Sequence, residues 1–310
     1  MNPEDLISSF LKNIPKDKIP LIILLGPTAS GKTGLSVELA KKFNGEIISA
    51  DSRQIYKEMD IGTAKIKKEE RQDVPHHLID AVLPNENFTT FDFKKLAEEK
   101  ILDIQKRNKI PFIVGGTGLY IRAVIENFTL GATPPNWQLR KQLEEEASQY
   151  GKEYVWKKLK ALNETEAMKI PPNNLRYVIR GIEKVVSSQW SVVSKNKNSC
   201  FQKNDNKYHI LKFAIDWPRE VLYDRIDKRV DKQIEDGLIE ETKYLLSKYD
   251  RNLPSMSSLG YLQIAKFLNN EMTLDEAKDL LKKETRHYAK RQMTWFSKEK
   301  EVVWINGLNI

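Results

Sequence analysis

Leu21-Ile22-Ile23-Leu24-Leu25-Gly26-Pro27-Thr28-Ala29-Ser30-Gly31-Lys32-Thr33 is the stretch that decides the fold. Five apolar residues stopped by a glycine read as a strand buried on both faces. Gly26 to Thr33 then fits G-x-x-x-x-G-K-[ST], and Gly34 to Phe43 continues as a helix. A strand before and a helix after are the context a phosphate-binding loop requires. In such a loop the backbone N–H groups of Gly26, Pro27's successors Thr28, Ala29 and Ser30, and Gly31 surround a phosphate. Lys32 adds a point charge, and Thr33 offers its hydroxyl to Mg²⁺.

Working outward, Glu46 to Ala50, Leu78 to Val82 and Phe112 to Val114 read as further buried strands, with a helix from Phe91 to Arg107 between the last two. Strands alternating with helices predict an α/β fold, a P-loop NTPase-like parallel sheet flanked by helices. His209 to Ile215 and Val302 to Ile305 supply later strands. From Asn136 the texture changes. Residues 137–149, 151–168 and 174–188 are helical and lysine-rich, and Ser191 to Lys207 is a polar, exposed linker. Three parts result: the first part of the P-loop core (1–135), a basic helical insertion domain (136–208), and core completion with a C-terminal basic helix (209–310).

Charge follows these divisions. The 310-residue chain has a net charge of +8. The insertion carries 14 basic against 8 acidic residues, and the stretch from residue 282 carries 7 against 3. An excess confined to segments suggests a polyanion, most commonly nucleic acid, although lysines also simply solubilise helices. A 40% hydrophobic and 30% charged composition excludes disorder as the main theme. No apolar run approaches the ~20 residues of a membrane span, and the N-terminus lacks a secretory pattern. The single cysteine, Cys200, excludes a disulfide framework and a cysteine-rich zinc site. The expected protein is cytoplasmic, without a membrane partner, and monomeric.

Ligands of open α/β sheets sit beyond the carboxyl ends of the strands, which puts Asp51 of Asp51-Ser52-Arg53-Gln54 beside the phosphate loop. A carboxylate there takes a proton from a nucleophile, binds Mg²⁺ through water, or merely caps a turn. Gly115-Gly116-Thr117-Gly118 ends another strand and permits close approach of a ligand. No second acid ends a strand convincingly, Asp80 being the nearest, so the crevice suits a diphosphate without being built to consume ATP. His76-His77 reads as structural, because neighbours on a strand face opposite ways. Arg225 and Arg229 share a helix face, ordinarily a solvated salt-bridge face. From Lys283 to Phe296 a helix carries cations on one side and aromatics on another, which suits RNA, docking on the core, or both.

Taken together, GPTASGKT (26–33), DSRQIYKEMDIGTAK (51–65), HHLID (76–80), VGGTGLY (114–120), LRYVIRGIE (175–183), LYDRIDKRVD (222–231), LGYLQ (259–263) and TRHYAKRQMTWF (285–296) resemble the bacterial tRNA dimethylallyltransferases. The resemblance implies transfer of a dimethylallyl group from dimethylallyl diphosphate to N6 of adenosine 37 in the tRNA anticodon stem-loop, with Mg²⁺. It implies Asp51 as general base, with Lys32, Thr33 and Arg225 on the leaving diphosphate and Arg229 as a substitute for Arg225. Contacts to tRNA are implied for Asp51, Ser52, Arg53, Gln54, Thr117, Arg140, Arg176, Tyr177, Val178, Ile179, Arg180, Ser257, Gly260, Tyr261, Lys290, Arg291, Gln292 and Trp295. The rivals are a P-loop kinase of a nucleoside or small metabolite, a non-catalytic RNA-binding protein, and an isopentenyltransferase of free adenine nucleotides. The last does not need a basic insertion.

Overall fold

The apolar run starts at Ile19 and forms β1 (Ile19–Leu25) of a six-stranded sheet. The structure is a computed structural model, and it describes residues 2–126, 135–190 and 207–309. Leu21, Ile23 and Leu25 enter one apolar cluster while Ile22 and Leu24 enter another. The strand is apolar throughout because alternate side chains face opposite sheet surfaces and both are covered.

Before β1 runs α1 (Pro3–Lys12). After it come α2 (Lys32–Lys42), β2 (Gly45–Ser49), β3 (His76–His77), α3 (Thr90–Lys106), β4 (Ile110–Gly115) and α4 (Gly118–Ile125). The insertion holds α5 (Trp137–Tyr150), α6 (Lys152–Leu162), α7 (Glu164–Ala167) and α8 (Leu175–Trp190). The chain then returns through β5 (Tyr208–Asp216), α9 (Arg219–Glu235), α10 (Leu238–Lys248), α11 (Tyr261–Leu268), α12 (Leu274–Phe296) and β6 (Val302–Asn306). Strand order is β3-β2-β4-β1-β5-β6, with all neighbours parallel. Because β4 lies between β1 and β2, the loops leaving these three strands stand side by side at their carboxyl ends. That edge is where open α/β sheets collect ligands. Among the described residues no helix is long and apolar enough to cross a membrane.

Two expectations change, and a third lies outside the described residues. Leu78 to Val82 is not a strand: Leu78 and Asp80 have φ of 59° and 56°, left-handed values that break an extended run. Pairing stops at His76–His77, with a lone bridge between Tyr56 and Val82. Residues 151–168 are not one helix, since the Asn163 side chain accepts from Glu166 N–H at 3.0 Å and caps a new turn. The linker expected at Ser191 to Lys207 lies outside the described residues up to 206.

The chain divides into two compact units, residues 1–128 with 203–310, and residues 129–202. The second has its own core of Leu143, Val155, Leu159, Val178, Ile179 and Ile182. Glu183 is buried within it. Its carboxylate accepts from Arg140 Nε at 2.6 Å, Arg180 Nη1 at 2.9 Å and Asn136 N–H at 2.9 Å. Burial pushes this carboxyl up, but the two arginines outweigh that and hold it below the ordinary range. Glu183→Ala strands two cations at the core margin. Both arginines keep some water contact, so the cost belongs near the low end of ~3–5 kcal/mol for breaking a buried pair. Chemical denaturation checks this, and a loss below ~1 kcal/mol contradicts it.

Candidate active site

The phosphate loop is shaped from outside by one helix and one tryptophan. Arg225 Nε donates to Ala29 O at 2.9 Å, its guanidinium lies 4.3 Å from the Trp217 ring centroid, and Trp217 Nε1 donates to Ser30 O at 2.9 Å. Gly31 begins α2 at φ 86°, a conformation that only glycine adopts without strain. Lys32 Nζ folds over the loop to Pro27 O at 3.2 Å. On the inner side Gln292 of α12 accepts from Thr28 N–H at 2.9 Å and donates to Gly116 O at 3.0 Å. A Cβ on Gly116 would lie 2.1 Å from Gln292 Nε2, so a side chain there breaks this clasp between the two glycine loops.

A cavity of about 360 Å³ opens beside the loop. Lys32, Arg53, Arg229 and Arg291 line it, and Asp51 is the one acid among the described lining residues. A pocket walled by one anion and several cations attracts a multiply charged anion. Burial lowers the Lys32 pKa to about 8; Asp51 opposes this shift and Arg229 reinforces it. Burial also lowers Arg229, again opposed by Asp51. A second opening of about 390 Å³ reaches the loop through Ala29 to Thr33, Arg225, Lys228 and Arg229. Arg229 lines both openings and Arg225 only the second, so neither belongs to a plain salt-bridge face.

Asp51 Oδ1 accepts from Arg53 N–H at 2.9 Å and Gln54 N–H at 3.4 Å, so it caps its own turn and faces the cavity as well. Thr117 Oγ1 accepts from Ser52 N–H at 3.1 Å, tying the β2 and β4 loops. Gln54 Nε2 donates to the carbonyls of Thr63 and Ala64 at 3.3 Å, and Arg53 Nη1 donates to Pro254 O at 2.8 Å. Ser257 is exposed on the cavity rim, bonded to Pro254 O at 2.6 Å. Lys290, Arg291, Arg176 and Tyr177 are exposed, and Trp295 lies at the surface against Gly118. His77 Nε2 meets Glu46 Oε2 at 2.7 Å, a structural contact, while His76 Nδ1 meets Val74 O at 2.8 Å and the ring lines the cavity. Asp80 pairs with Lys65 at 2.5 Å, away from the loop.

Several residues expected to contact RNA are buried or already engaged. Val178 and Ile179 are core residues of the insertion. Arg140 and Arg180 are engaged by Glu183. Tyr261 is fully buried, its hydroxyl donating to Glu241 Oε1 at 2.6 Å, and buried Gly260 starts α11 with its N–H on Gln263 Oε1 at 2.9 Å. Gln292 is buried in its clasp. Val178, Ile179, Gly260 and Tyr261 are buried, Gln292 lines the cavity, and Arg140 and Arg180 keep partial exposure while paired with Glu183.

Sequence reasoning named Gln292 but missed Leu281, Thr285 and Tyr288, which line the cavity with it from α12. Their 4-3-4 spacing was visible, but polar members at core spacing disguised it. Burial raises the Tyr288 hydroxyl, with the Asp51 charge adding to the effect, so it stays protonated there. Glu241 was also missed. It accepts the N–H groups of Asp60, Ile61 and Gly62 at 3.1, 2.8 and 3.0 Å and so holds the turn leading to Thr63 and Ala64 in the cavity wall. No local signal marks a pairing across some 180 residues.

Residues 54–299 match the family model described as IPP transferase. A tRNA dimethylallyltransferase of Halothermothrix orenii is 49% identical over 296 residues, covering 95% of this chain and 90% of the relative. One of Acetivibrio thermocellus is 47% identical over 287 residues, covering 92% and 91%. Among solved structures, the full-length tRNA isopentenylpyrophosphate transferase of Bacillus halodurans superposes with a TM-score of 0.69 at 42% identity, covering 94% of this chain and 90% of that one. A eukaryotic dimethylallyltransferase acting on tRNA gives 0.75 at 28% identity, covering 93% and 74%.

Proposed function

The chain belongs to the IPP transferase family, and on that premise we propose that it moves a dimethylallyl group from dimethylallyl diphosphate to N6 of adenosine 37 in tRNA, beside the anticodon. The observation that carries this reading is the cavity itself: Thr28, Lys32 and Thr33 of the phosphate loop on one wall, several cations, and Asp51 as the one acid among its described lining residues. In the reaction the donor's C1–O bond breaks, a C1–N6 bond forms, the N6 proton passes to Asp51, and diphosphate leaves. An adenine amino group is a weak nucleophile, so the leaving group must be neutralised as it departs. Loop N–H groups, Lys32 and either Arg225 or Arg229 do this. An adenosine in an anticodon loop is unpaired enough to be flipped into a pocket at modest cost.

Mg²⁺ fits as an ion carried on the donor. Among the described residues no group of three or more His, Cys, Asp or Glu is placed to hold a metal, while Thr33 stands exposed at the start of α2. Mg²⁺ commonly binds through substrate phosphates, few protein ligands and water. Thr33 Oγ1 would hold it, and its charge would stabilise the leaving oxygens. The enzyme works as a cytoplasmic monomer, with tRNA and the donor as its partners.

The direct test is nucleoside mass spectrometry of an anticodon stem-loop incubated with dimethylallyl diphosphate and Mg²⁺, alongside ATP hydrolysis. A phosphorylated product without alkylated adenosine would establish the kinase instead. ATP should bind weakly through its phosphates and remain intact.

Among the described residues expected to contact RNA, Arg176, Lys290 and Arg291 are exposed cations suited to RNA phosphates. Neutralising Lys290 and Arg291 together should flatten the plot of log K against log salt by about 2. Altering Arg140 should move it less, because Glu183 already engages that charge. An unchanged slope in the double variant assigns Lys290 and Arg291 to a solvated face.

A further inference from the structure

The face that α12 turns to the cavity is fixed from two sides. Lys282 and Arg286 pair with Asp231 and Asp227 of α9 at 2.8 and 2.6 Å. Gln292 donates to Gly116 O, and the next residue, Thr117, donates its N–H to Ala50 O at 3.1 Å. This turn of α12 therefore lies beside the end of β2, where Asp51 begins the following loop. Tyr288 stands one turn back from Gln292 on the same face, and both it and Asp51 line the cavity.

Of the α12 residues in the cavity wall, Leu281 is apolar, Thr285 Oγ1 donates to Leu281 O at 2.7 Å, and Gln292 is engaged at both ends of its amide. The Tyr288 hydroxyl alone has no hydrogen-bond partner among the described residues. Burial keeps it protonated and the Asp51 charge acts on it, so it is a neutral donor held near a carboxylate. Both hydrogen bonds that Asp51 accepts in its own turn go to Oδ1, and Oδ2 meets no donor among the described residues. One unused donor and one unused anionic acceptor thus face the same space. A diphosphate does not suit that space, because the carboxylate repels phosphate oxygens. An adenine edge does: N6–H donates, and the ring nitrogen on either side of N6, N1 or N7, accepts.

We infer that Tyr288 reads the acceptor adenine, its hydroxyl donating to a ring nitrogen that flanks N6 while Asp51 Oδ2 accepts from N6 itself. The inference rests on the alkyl-transfer reading above. A flipped base is read through hydrogen bonds to its edge, and this pair supplies a donor and an acceptor for two adjacent atoms of that edge.

The test compares the wild-type chain with Tyr288→Phe on anticodon stem-loops carrying adenosine, 1-deazaadenosine or 7-deazaadenosine at the acceptor position, each with dimethylallyl diphosphate and Mg²⁺. On adenosine the substitution should lower kcat/KM for the stem-loop by about 10-fold, the upper end for one neutral hydrogen bond. On one of the two deaza loops it should cost nothing, because the nitrogen that the hydroxyl serves is already gone, and that loop names the nitrogen. Affinity for inorganic diphosphate should be unchanged, which also shows that the variant is folded. A loss of equal size on all three loops overturns the inference, since a hydroxyl that only holds Asp51 or α12 in place is blind to the ring nitrogens. So does an unchanged kcat/KM on adenosine, and so does a weakened affinity for inorganic diphosphate, which assigns the hydroxyl to the donor. Wild-type protein that alkylates no adenosine defeats the functional reading instead. The same comparison read as stem-loop affinity then decides Tyr288: identical losses on the three loops, or none on any, remove it.

Discussion

Asp51→Asn is expected to lower turnover on an anticodon stem-loop by about 10²–10⁴-fold, the range for a lost general base. Asparagine is the informative replacement. The amide oxygen keeps the acceptor that caps the turn at Arg53 and Gln54, so the change removes the proton acceptor and leaves the loop. Alanine removes both, and the difference between the two variants measures what the turn contributes. Affinity for tRNA, spread over many phosphate contacts, should stay within about twofold. The measurement is single-turnover alkylation with saturating donor, paired with stem-loop binding. Near-normal turnover in Asp51→Asn takes Asp51 out of the chemistry. It would leave the carboxylate as a turn cap facing a cationic cavity.

Lys32→Met should lower kcat/KM for the donor by about 10²–10³-fold, the scale for removing one preorganised donor to a developing anion. Both donor affinity and the chemical step should suffer, because the same ammonium meets the bound diphosphate and the departing one. The wild-type enzyme should also show a pH signature. With its pKa lowered to about 8, chiefly by burial, Lys32 loses its proton as pH rises through that value. Affinity for dimethylallyl diphosphate should therefore fall between pH 7 and 9, and this fall should vanish in Lys32→Met. The stability effect has the opposite sense. A lysine whose folded pKa lies below its unfolded 10.5 destabilises the empty protein while charged, fully so below pH 8. That cost is relieved between pH 8 and 10.5, so the empty wild type should gain stability relative to Lys32→Met over this window. Identical pH profiles for the two proteins exclude Lys32 as the titrating group.

Sequence alone determined whatever depends on neighbours along the chain. Gly26 to Thr33, with apolar Leu21 to Leu25 before it and a helix after it, established the phosphate loop, because the loop's chemistry lies in consecutive backbone groups. The parallel α/β class followed from alternating periodicities, and the shared strings from residue 26 to 296 named the family. Tertiary structure decided whatever depends on packing between distant segments. Tyr261, Gln292 and Val178 looked like surface residues within recognisable strings. They are buried because α11 and α12 close over the sheet edge and the insertion has a core of its own. The clasp of Gln292 on Thr28, the hold of Glu241 on residues 60–62, and the engagement of Arg140 by Glu183 each join residues far apart in sequence. A helical period gives the face of a side chain but not what lies opposite it. Opposing surfaces are set by the order of the strands and the crossings of the helices, and these turn residues of one string into scaffold, cavity wall or free charge.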